Sequence, residues 1–476
     1  MITKTLQRLY IGGEWVAARG DGAETIRDRW TGEEIADVAV ATAEDARLAV
    51  DAAVQAFDSG LPVHKRVEIL HAVASLVAAS SEAFALSMSR ETGKPITAAR
   101  TEVDRAVGTL TYAAEEAARL PGETVPIDAT ASGEGMIAFT IPEARGVVAA
   151  ITPFNFPLNL VIHKVGPALA AGCPVVLKPS DKAPIVAGML VQAFHDAGLP
   201  AGWLNLVTGP PELIVGEWQN DDRVRVLTFT GSARIGWALK SASPRKLHIL
   251  ELGSNAAMYV DKDADVDRAV ADSVAGGFSN SGQACVSLQR IFVHKSVVDD
   301  FSSKLAAAVK KLPAGDPALP ETVVGPLITA QAADRVSSWI AEAVAEGATV
   351  LAGGTEMDGV VAPTVMTAVR SDSPLLCEEV FGPVVTVVPV ESAGEAIERI
   401  NESVYGLNTS IYTGNLAAAF SFSRRIQSGS VLVNIPPSFR ADHMPYGGVK
   451  ESGQGREGVK YAVAEMLMEK FVIIRA

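Results

Sequence analysis

An α/β protein with two successive doubly wound regions is the fold class this sequence predicts. Three observations point there. From Arg145 onward, short runs that are apolar on both faces alternate with helical segments, the pattern of parallel strands covered by crossover helices. A second alternating series starts near Asp265 and runs to about Asn434. A chain of 476 residues, 48% of them apolar, is also longer than one small core accommodates, so two or three domains are expected.

The elements follow in chain order. Helix is expected from about residue 42, where Thr42 serves as N-cap and Asp45 completes a capping box. More helix runs through Arg119, broken near "ETGKP", and Gly122 to Pro142 reads as extended. The first strand series is "GVVAAIT", "PVVLKPS", "LNLVTG", "VRVLTFTGS" and "KLHILELG"; the second includes "QRIFVH", "VVTVVPV", "NTSIYT" and "SVLVN". The final "LMEKFVII" has no downstream partner and is read as a strand added to a sheet edge, its own or a neighbour's. The expected division is 1–121 with 143–252, then 253–450, with 122–142 and 451–476 as a bridging segment.

Charge and cysteine usage exclude several classes. There are 55 acidic and 41 basic residues, a net charge of −14, and no basic stripe of the kind a nucleic-acid surface requires. The N-terminal segment lacks the apolar core of a signal peptide, and the uncharged run from Gly146 to His163 is interrupted by prolines and asparagines that a lipid span disfavours. Three cysteines without short spacing suit neither a disulfide framework nor a metal site. A cytoplasmic protein with free thiols and no metal is the expectation.

The literal G-x-G-x-x-G fingerprint occurs once, as "GQGREG" at Gly453–Gly458, but no strand leads into it and too little chain follows for a βαβ unit. It reads as a turn into the last helix. Nucleotide binding is better sought at the carboxyl ends of the first strand series. Those ends carry Ile151, Thr152, Pro153 and Phe154; Lys178, Ser180 and Asp181; Gly209; Gly231 and Ser232; and Leu252 and Gly253. Gly231 and Ser232 precede a helix whose first N–H groups suit a phosphate, and Lys178 and Asp181 suit ribose hydroxyls.

The segments "ITPFNFPLNLVIHKVGPALAAGCPVVLKPS", "FTGS", "LELGS", "GQACVSLQR" and "EEVFGPVV" resemble, in order and over essentially the whole chain, the aldehyde dehydrogenase superfamily. The later "DHMPYGGVKESGQGREG" is similar to the subgroup of lactaldehyde and non-phosphorylating glyceraldehyde-3-phosphate dehydrogenases. The resemblance implies a Rossmann-type NAD-binding domain, a second α/β catalytic domain and a small β oligomerisation arm. It makes Cys285 the nucleophile that adds to the aldehyde. The Asn155 amide and the Cys285 N–H become oxyanion donors. Glu251 becomes the general base for the thiol and for the hydrolytic water, and Lys178 is grouped with the catalytic set. The same likeness puts Lys178 and Asp181 on the adenosine ribose, Ser232 on the pyrophosphate, and Glu379 and Phe381 on the nicotinamide ribose and ring. NAD is the expected cofactor, with NADP use left open by Asp181 in place of a more usual glutamate. Cys173 and Cys377 have no such companions.

Members handling glyceraldehyde-3-phosphate carry three arginines for phosphate. Arg105 and Arg440 match two of these; the third position is Ala284. A smaller anionic or hydroxylated aldehyde is therefore expected, with His163 and His443 as further donors. Arg290 is read as a structural ion-pair residue of its strand. A CoA-acylating enzyme, a phosphorylated or phosphonated aldehyde, a cysteine hydrolase and a non-catalytic NAD-binding protein are the competing readings. A homodimer or homotetramer is implied through the arm and the C-terminal strand.

Overall fold

The computed structural model describes residues 6–357 and 359–475. Its first large sheet has eight strands, in the order Gly453–Gln454, Leu247–Glu251, Val224–Thr230, Val147–Ile151, Val175–Lys178, Leu204–Leu206, Leu9–Ile11, Glu14–Val16. The central five are parallel, and the pairings outside them are antiparallel. Val147–Ile151, first of the five in the chain, lies between the second and the fourth. The crossovers therefore leave it in opposite directions, opening a crevice at its carboxyl end, where a doubly wound sheet binds ligands.

The second large sheet has seven strands, ordered Thr349–Ala352, Thr364–Thr367, Val384–Val390, Leu288–His294, Ala256–Val260, Asn408–Tyr412, Ser430–Val433. All its pairings are parallel except that of Thr349–Ala352. Ala256–Val260 is fully buried and lies near the centre, although the sequence reading began this series only at Asp265. Its run "AAMYV" follows the previous strand so closely that no helical crossover announces it. Five residues without alternation carry no period to detect.

Local chemistry sets the helix ends. Thr42 Oγ1 accepts from the Asp45 N–H at 3.3 Å while the Asp45 carboxylate accepts from the Thr42 N–H at 2.8 Å, so the expected capping box is present. Gly93 ends the helix Ser81–Thr92 in the left-handed conformation, and Pro95 precedes the helix Ile96–Ala117, which accounts for the break at "ETGKP".

Every residue of the helix Asn159–Ala171 is buried, including His163 and Lys164. Its N-terminus is held by Glu102, whose carboxylate accepts from the N–H groups of Leu158 and Asn159 at 2.9 and 3.0 Å. Lys94 pairs with Glu102 and also donates to the Asn155 carbonyl at 2.7 Å, and both charged side chains are buried. Breaking such a buried pair costs about 3–5 kcal/mol. The loop carrying Asn155 is thus fixed from beneath.

The C-terminal strand Leu467–Arg475 pairs antiparallel with Met136–Ala144 of its own chain, which in turn pairs with Thr124–Val125. Its other edge is unpaired among the described residues, and Phe471, Ile473 and Ile474 are exposed along it. Segment 451–476 is therefore divided: Gly453–Gln454 edges the first sheet, the helix Val459–Glu465 packs on Asn159–Ala171, and only the last strand joins the arm. Among the described residues no single helix is long and apolar enough to cross a membrane.

Candidate active site

Cys285 sits between the helix Val266–Phe278 and the strand Leu288–His294, after a turn with three successive left-handed residues: Asn280 (φ 51°), Ser281 (φ 57°) and Gly282 (φ 72°). For an L-residue this conformation costs about 1–2 kcal/mol, so the turn has to be held. Asn280 Nδ2 donates to the Asn155 carbonyl at 3.2 Å, and Ser281 Oγ exchanges hydrogen bonds with Gly325 N and O at 2.9 and 3.0 Å. Gly282 is required twice over, because a Cβ there would also lie 2.1 Å from the Gly382 carbonyl oxygen. Backbone held this firmly fixes where the thiol emerges.

The thiol is part-buried, and its Sγ lies 3.1 Å from the Tyr446 hydroxyl. Burial pushes its pKa up to about 12, against the Tyr446 hydrogen bond, which favours the thiolate. Asn155 Nδ2 donates one hydrogen to the Gln283 carbonyl at 2.9 Å, and Asn155 Oδ1 accepts from the Phe156 N–H at 3.2 Å. The amide is thereby oriented with its second hydrogen spare. Among the described residues the Cys285 N–H has no acceptor. Two donors are therefore available near one thiol.

Glu251 ends the strand Leu247–Glu251, and both its carboxylate oxygens are buried without a hydrogen-bond partner. Burial first, and the charge of Glu457 second, raise its pKa well above the usual carboxyl value. Glu457 behaves oppositely. Burial would raise it, but Lys164 at 2.7 Å and Arg440 at 3.0 Å hold it down at about 2. The Arg440 guanidinium lies over the Tyr446 ring at 3.7 Å, and its Nε is buried without an acceptor.

Glu457 lies inside "GQGREG". That stretch is no phosphate loop: Gly453–Gln454 pairs with Leu250 and Glu251, and the Tyr446 and Glu457 backbones exchange hydrogen bonds at 2.7 and 3.0 Å. Sequence reasoning gave no role to Tyr446, Lys164 or Glu457. The tyrosine of "PYGG" stood within the quoted motif; the buried Lys164–Glu457 pair left no sequence signal, because its partners are 293 positions apart.

Other expected residues divide differently. Arg105 makes a bidentate pair with Asp442 at 2.7 and 3.1 Å, and His163 Nε2 is 2.9 Å from the same carboxylate. Neither is the free donor that the sequence reading supposed, because Asp442 takes both. Burial, and then the Arg440 charge, lower the His163 pKa, against the Asp442 hydrogen bond, which raises it. His443 packs against Tyr112 with ring centroids 5.1 Å apart. Lys178 pairs with Asp181 on one strand-to-helix turn, and among the described residues no hydrogen bond or ion pair ties it to Cys285.

The crevice fits a dinucleotide on its own evidence. Thr152 Oγ1 and Thr230 Oγ1, at the carboxyl ends of two of its strands, are buried without partners among the described residues. Ser232 heads the helix Ala233–Ala242 without capping it through its hydroxyl, and Ser180 Oγ accepts from the Lys182 N–H at 3.2 Å. Ile151 is buried at the strand end, followed by Pro153 and Phe154, whose ring meets Phe381 edge-on at 5.9 Å. Gly209 ends the loop after Leu204–Leu206, and Leu252 is buried beneath the helix that follows Gly231. A Cβ on Gly253 would lie 2.9 Å from the Glu379 carboxylate, which accepts from the Ser254 N–H at 3.0 Å; burial raises the Glu379 pKa to about 7.

The model of the aldehyde dehydrogenase family matches residues 15–472. This chain belongs to the aldehyde dehydrogenase family. It is 42% identical over 468 residues to the 3-sulfolactaldehyde dehydrogenase of Priestia megaterium, covering 98% of this chain and 97% of that one. It is 38% identical over 472 residues to the lactaldehyde dehydrogenase of Methanococcus vannielii, covering 98% and 99%. Among solved structures, the NADP-dependent glyceraldehyde-3-phosphate dehydrogenase of Bacillus halodurans, complexed with NADP, superposes with a TM-score of 0.97 at 32% identity, covering 99% of this chain and 100% of that one. The family assignment makes this protein an oxidoreductase with the aldehyde dehydrogenase fold, as its motifs implied.

Proposed function

We propose that this aldehyde dehydrogenase oxidises a small anionic 2-hydroxyaldehyde, with a sulfonated lactaldehyde as the best-fitting substrate, to the carboxylic acid using NAD(P). One observation carries the choice of an anion. Two buried cations, Lys164 and Arg440, share a single carboxylate, Glu457, while burial raises the pKa of the neighbouring Glu251, whose oxygens pair with neither cation among the described residues. The excess positive charge, with the Arg440 Nε still lacking an acceptor, adjoins Tyr446 and hence Cys285. Ala284 packs beside Cys285, Val286, Leu407 and Tyr446 rather than adding a third cation, which favours a compact anion over a phosphorylated substrate.

In this reading the ionised form of Glu251 takes the Cys285 proton as the sulfur bonds to the aldehyde carbon, and releases it to solvent before hydrolysis begins. Tyr446 donates to the sulfur as charge develops, and the spare Asn155 hydrogen and the Cys285 N–H receive the oxyanion. Bound nicotinamide supplies the hydride acceptor. Cys285 is then left as a thioester, and Glu251 takes a proton from the water that cleaves it, returning the thiol and releasing the acid. Lys178, Ser180 and Asp181 hold the adenosine ribose, and Ser232 the pyrophosphate; Glu379 and Phe381 border the nicotinamide. The Asp181 carboxylate repels a 2′-phosphate, so NAD is favoured over NADP. Self-association through the exposed edge of Leu467–Arg475 belongs to the same reading, and light scattering giving a monomer would remove it.

The test is kcat/KM for 3-sulfolactaldehyde, lactaldehyde, succinate semialdehyde and glyceraldehyde-3-phosphate, with NAD and with NADP, and with and without CoA. The sulfonated aldehyde is expected to exceed lactaldehyde by about tenfold or more, the value of one charge-assisted hydrogen bond. A higher value for the phosphorylated aldehyde would overturn the substrate reading. Acyl-CoA formation would overturn the hydrolytic one.

A further inference from the structure

Arg290, expected in an ion pair, has no carboxylate within 4.0 Å among the described residues. It is only 5% exposed, and its guanidinium meets two backbone carbonyls, Asn255 O at 3.1 Å and Arg399 O at 3.5 Å. An arginine has five N–H donors, so most of the fork is unused, and it borders a cavity of about 210 Å³. A charge this deep without a counter-charge is costly.

The same cavity is walled by Arg399, whose nearest acid is Glu395 at 3.6 Å on its own helix. Both guanidiniums lie beside the Phe292 ring, at 5.7 and 5.6 Å. Lys450 adds positive field from behind, its ammonium donating to the Asn401 and Ser403 carbonyls at 2.7 and 3.0 Å. The sole acid in the wall is Glu402, which is exposed and forms no ion pair with either arginine. Burial lowers the Arg290 pKa to about 10, in keeping with an undersupply of negative charge.

The wall also includes Leu376 and Cys377, in the turn that leads to Glu379 and Phe381. Asn255 Nδ2 donates to the Leu376 and Cys377 carbonyls at 3.1 and 3.3 Å, and Asn255 Oδ1 accepts from Ser403 Oγ at 2.7 Å. The cavity thus backs onto the segment bordering the crevice without opening through residues of the candidate active site.

We infer that the cavity between Arg290 and Arg399 is a binding site for a small oxyanion, a molecule bearing a phosphate or carboxylate group, distinct from the catalytic cleft. Two guanidiniums at one cavity suit bidentate recognition of such a group.

Cys377 supplies a reporter, because its thiol is exposed at the cavity wall. At constant ionic strength, replacing chloride by millimolar inorganic phosphate or malonate is expected to slow iodoacetamide alkylation of Cys377 about fivefold, as mass action predicts for a site four-fifths filled. The reaction is followed by mass spectrometry on the Cys377 peptide, with the Cys285 peptide as internal comparison. Protection by phosphate alone points to a phosphate-bearing ligand, and by malonate alone to a carboxylate. Arg399→Glu is expected to abolish the protection. Circular dichroism of that variant confirms its fold. No protection of Cys377 by either anion in the parent protein, or protection that survives in folded Arg399→Glu, would each overturn the proposal, whereas slowing at Cys285 reports only on the catalytic cleft. Labelling needs no turnover, so failure here is distinct from failure of the dehydrogenase reading.

Discussion

Cys285→Ala is expected to lower kcat/KM for NAD(P)H formation by about 10⁴-fold or more, the scale seen when a covalent nucleophile is removed. Alanine keeps the volume of the Cβ and leaves the turn Asn280–Gly282 untouched, since that turn is held by Asn280 and Ser281 rather than by the thiol. Dinucleotide binding, followed by tryptophan fluorescence, should therefore remain within about twofold, because the buried donors at the carboxyl ends of the crevice strands belong to Thr152 and Thr230. Turnover within tenfold of the parent protein would mean that the reaction does not pass through this sulfur. Loss of both turnover and dinucleotide binding would instead indicate a structural role.

Glu251→Gln should separate the two halves of the reaction. Without a base for water, the thioester persists. A burst of about one NAD(P)H per active site is then expected, slower than the first turnover of the parent protein because Glu251 also takes the thiol proton, followed by a steady rate lower by about 10²–10⁴-fold. A steady rate like that of the parent protein, with no burst, would exclude Glu251 as the base for hydrolysis. The same change should raise stability as pH increases. The Glu251 carboxyl has a folded-state pKa raised above its ordinary 4.5, chiefly by burial. Between those two values the folded state holds a proton that the unfolded chain has lost, so stability falls as pH rises through that window. Glutamine removes this dependence. Its advantage should be absent below the ordinary carboxyl pKa and grow above it, as read from urea midpoints across pH. A constant difference at all pH values would show that the carboxylate is not under strain from burial.

Much of this molecule was legible in short-range sequence, for stated reasons. Strands such as Val147–Ile151 are apolar throughout because both sheet faces are covered, and the helical periods between the strands of the series mark the crossovers. The Thr42–Asp45 box declares its helix because the reciprocal hydrogen bonds span only three residues. Ala256–Val260 escaped because a short buried run has no period of its own. The partners of Arg105, His163 and Lys164 escaped because Asp442 and Glu457 come from the far end of the chain.

By itself the sequence determined the two doubly wound regions and the family, and it is the source of the proposal that Cys285, Glu251 and Asn155 act together. Each of these rests on local pattern or on an ordered set of motifs. Only the tertiary structure decided which charges are available. It paired Arg105 and His163 with Asp442, turned the fingerprint-like "GQGREG" into the carrier of Glu457, and left Arg290 without a carboxylate within 4.0 Å among the described residues. The physical reason is that burial and Coulomb interactions depend on separation in space. Whether a side chain is free or paired is settled by whichever distant segment folds against it.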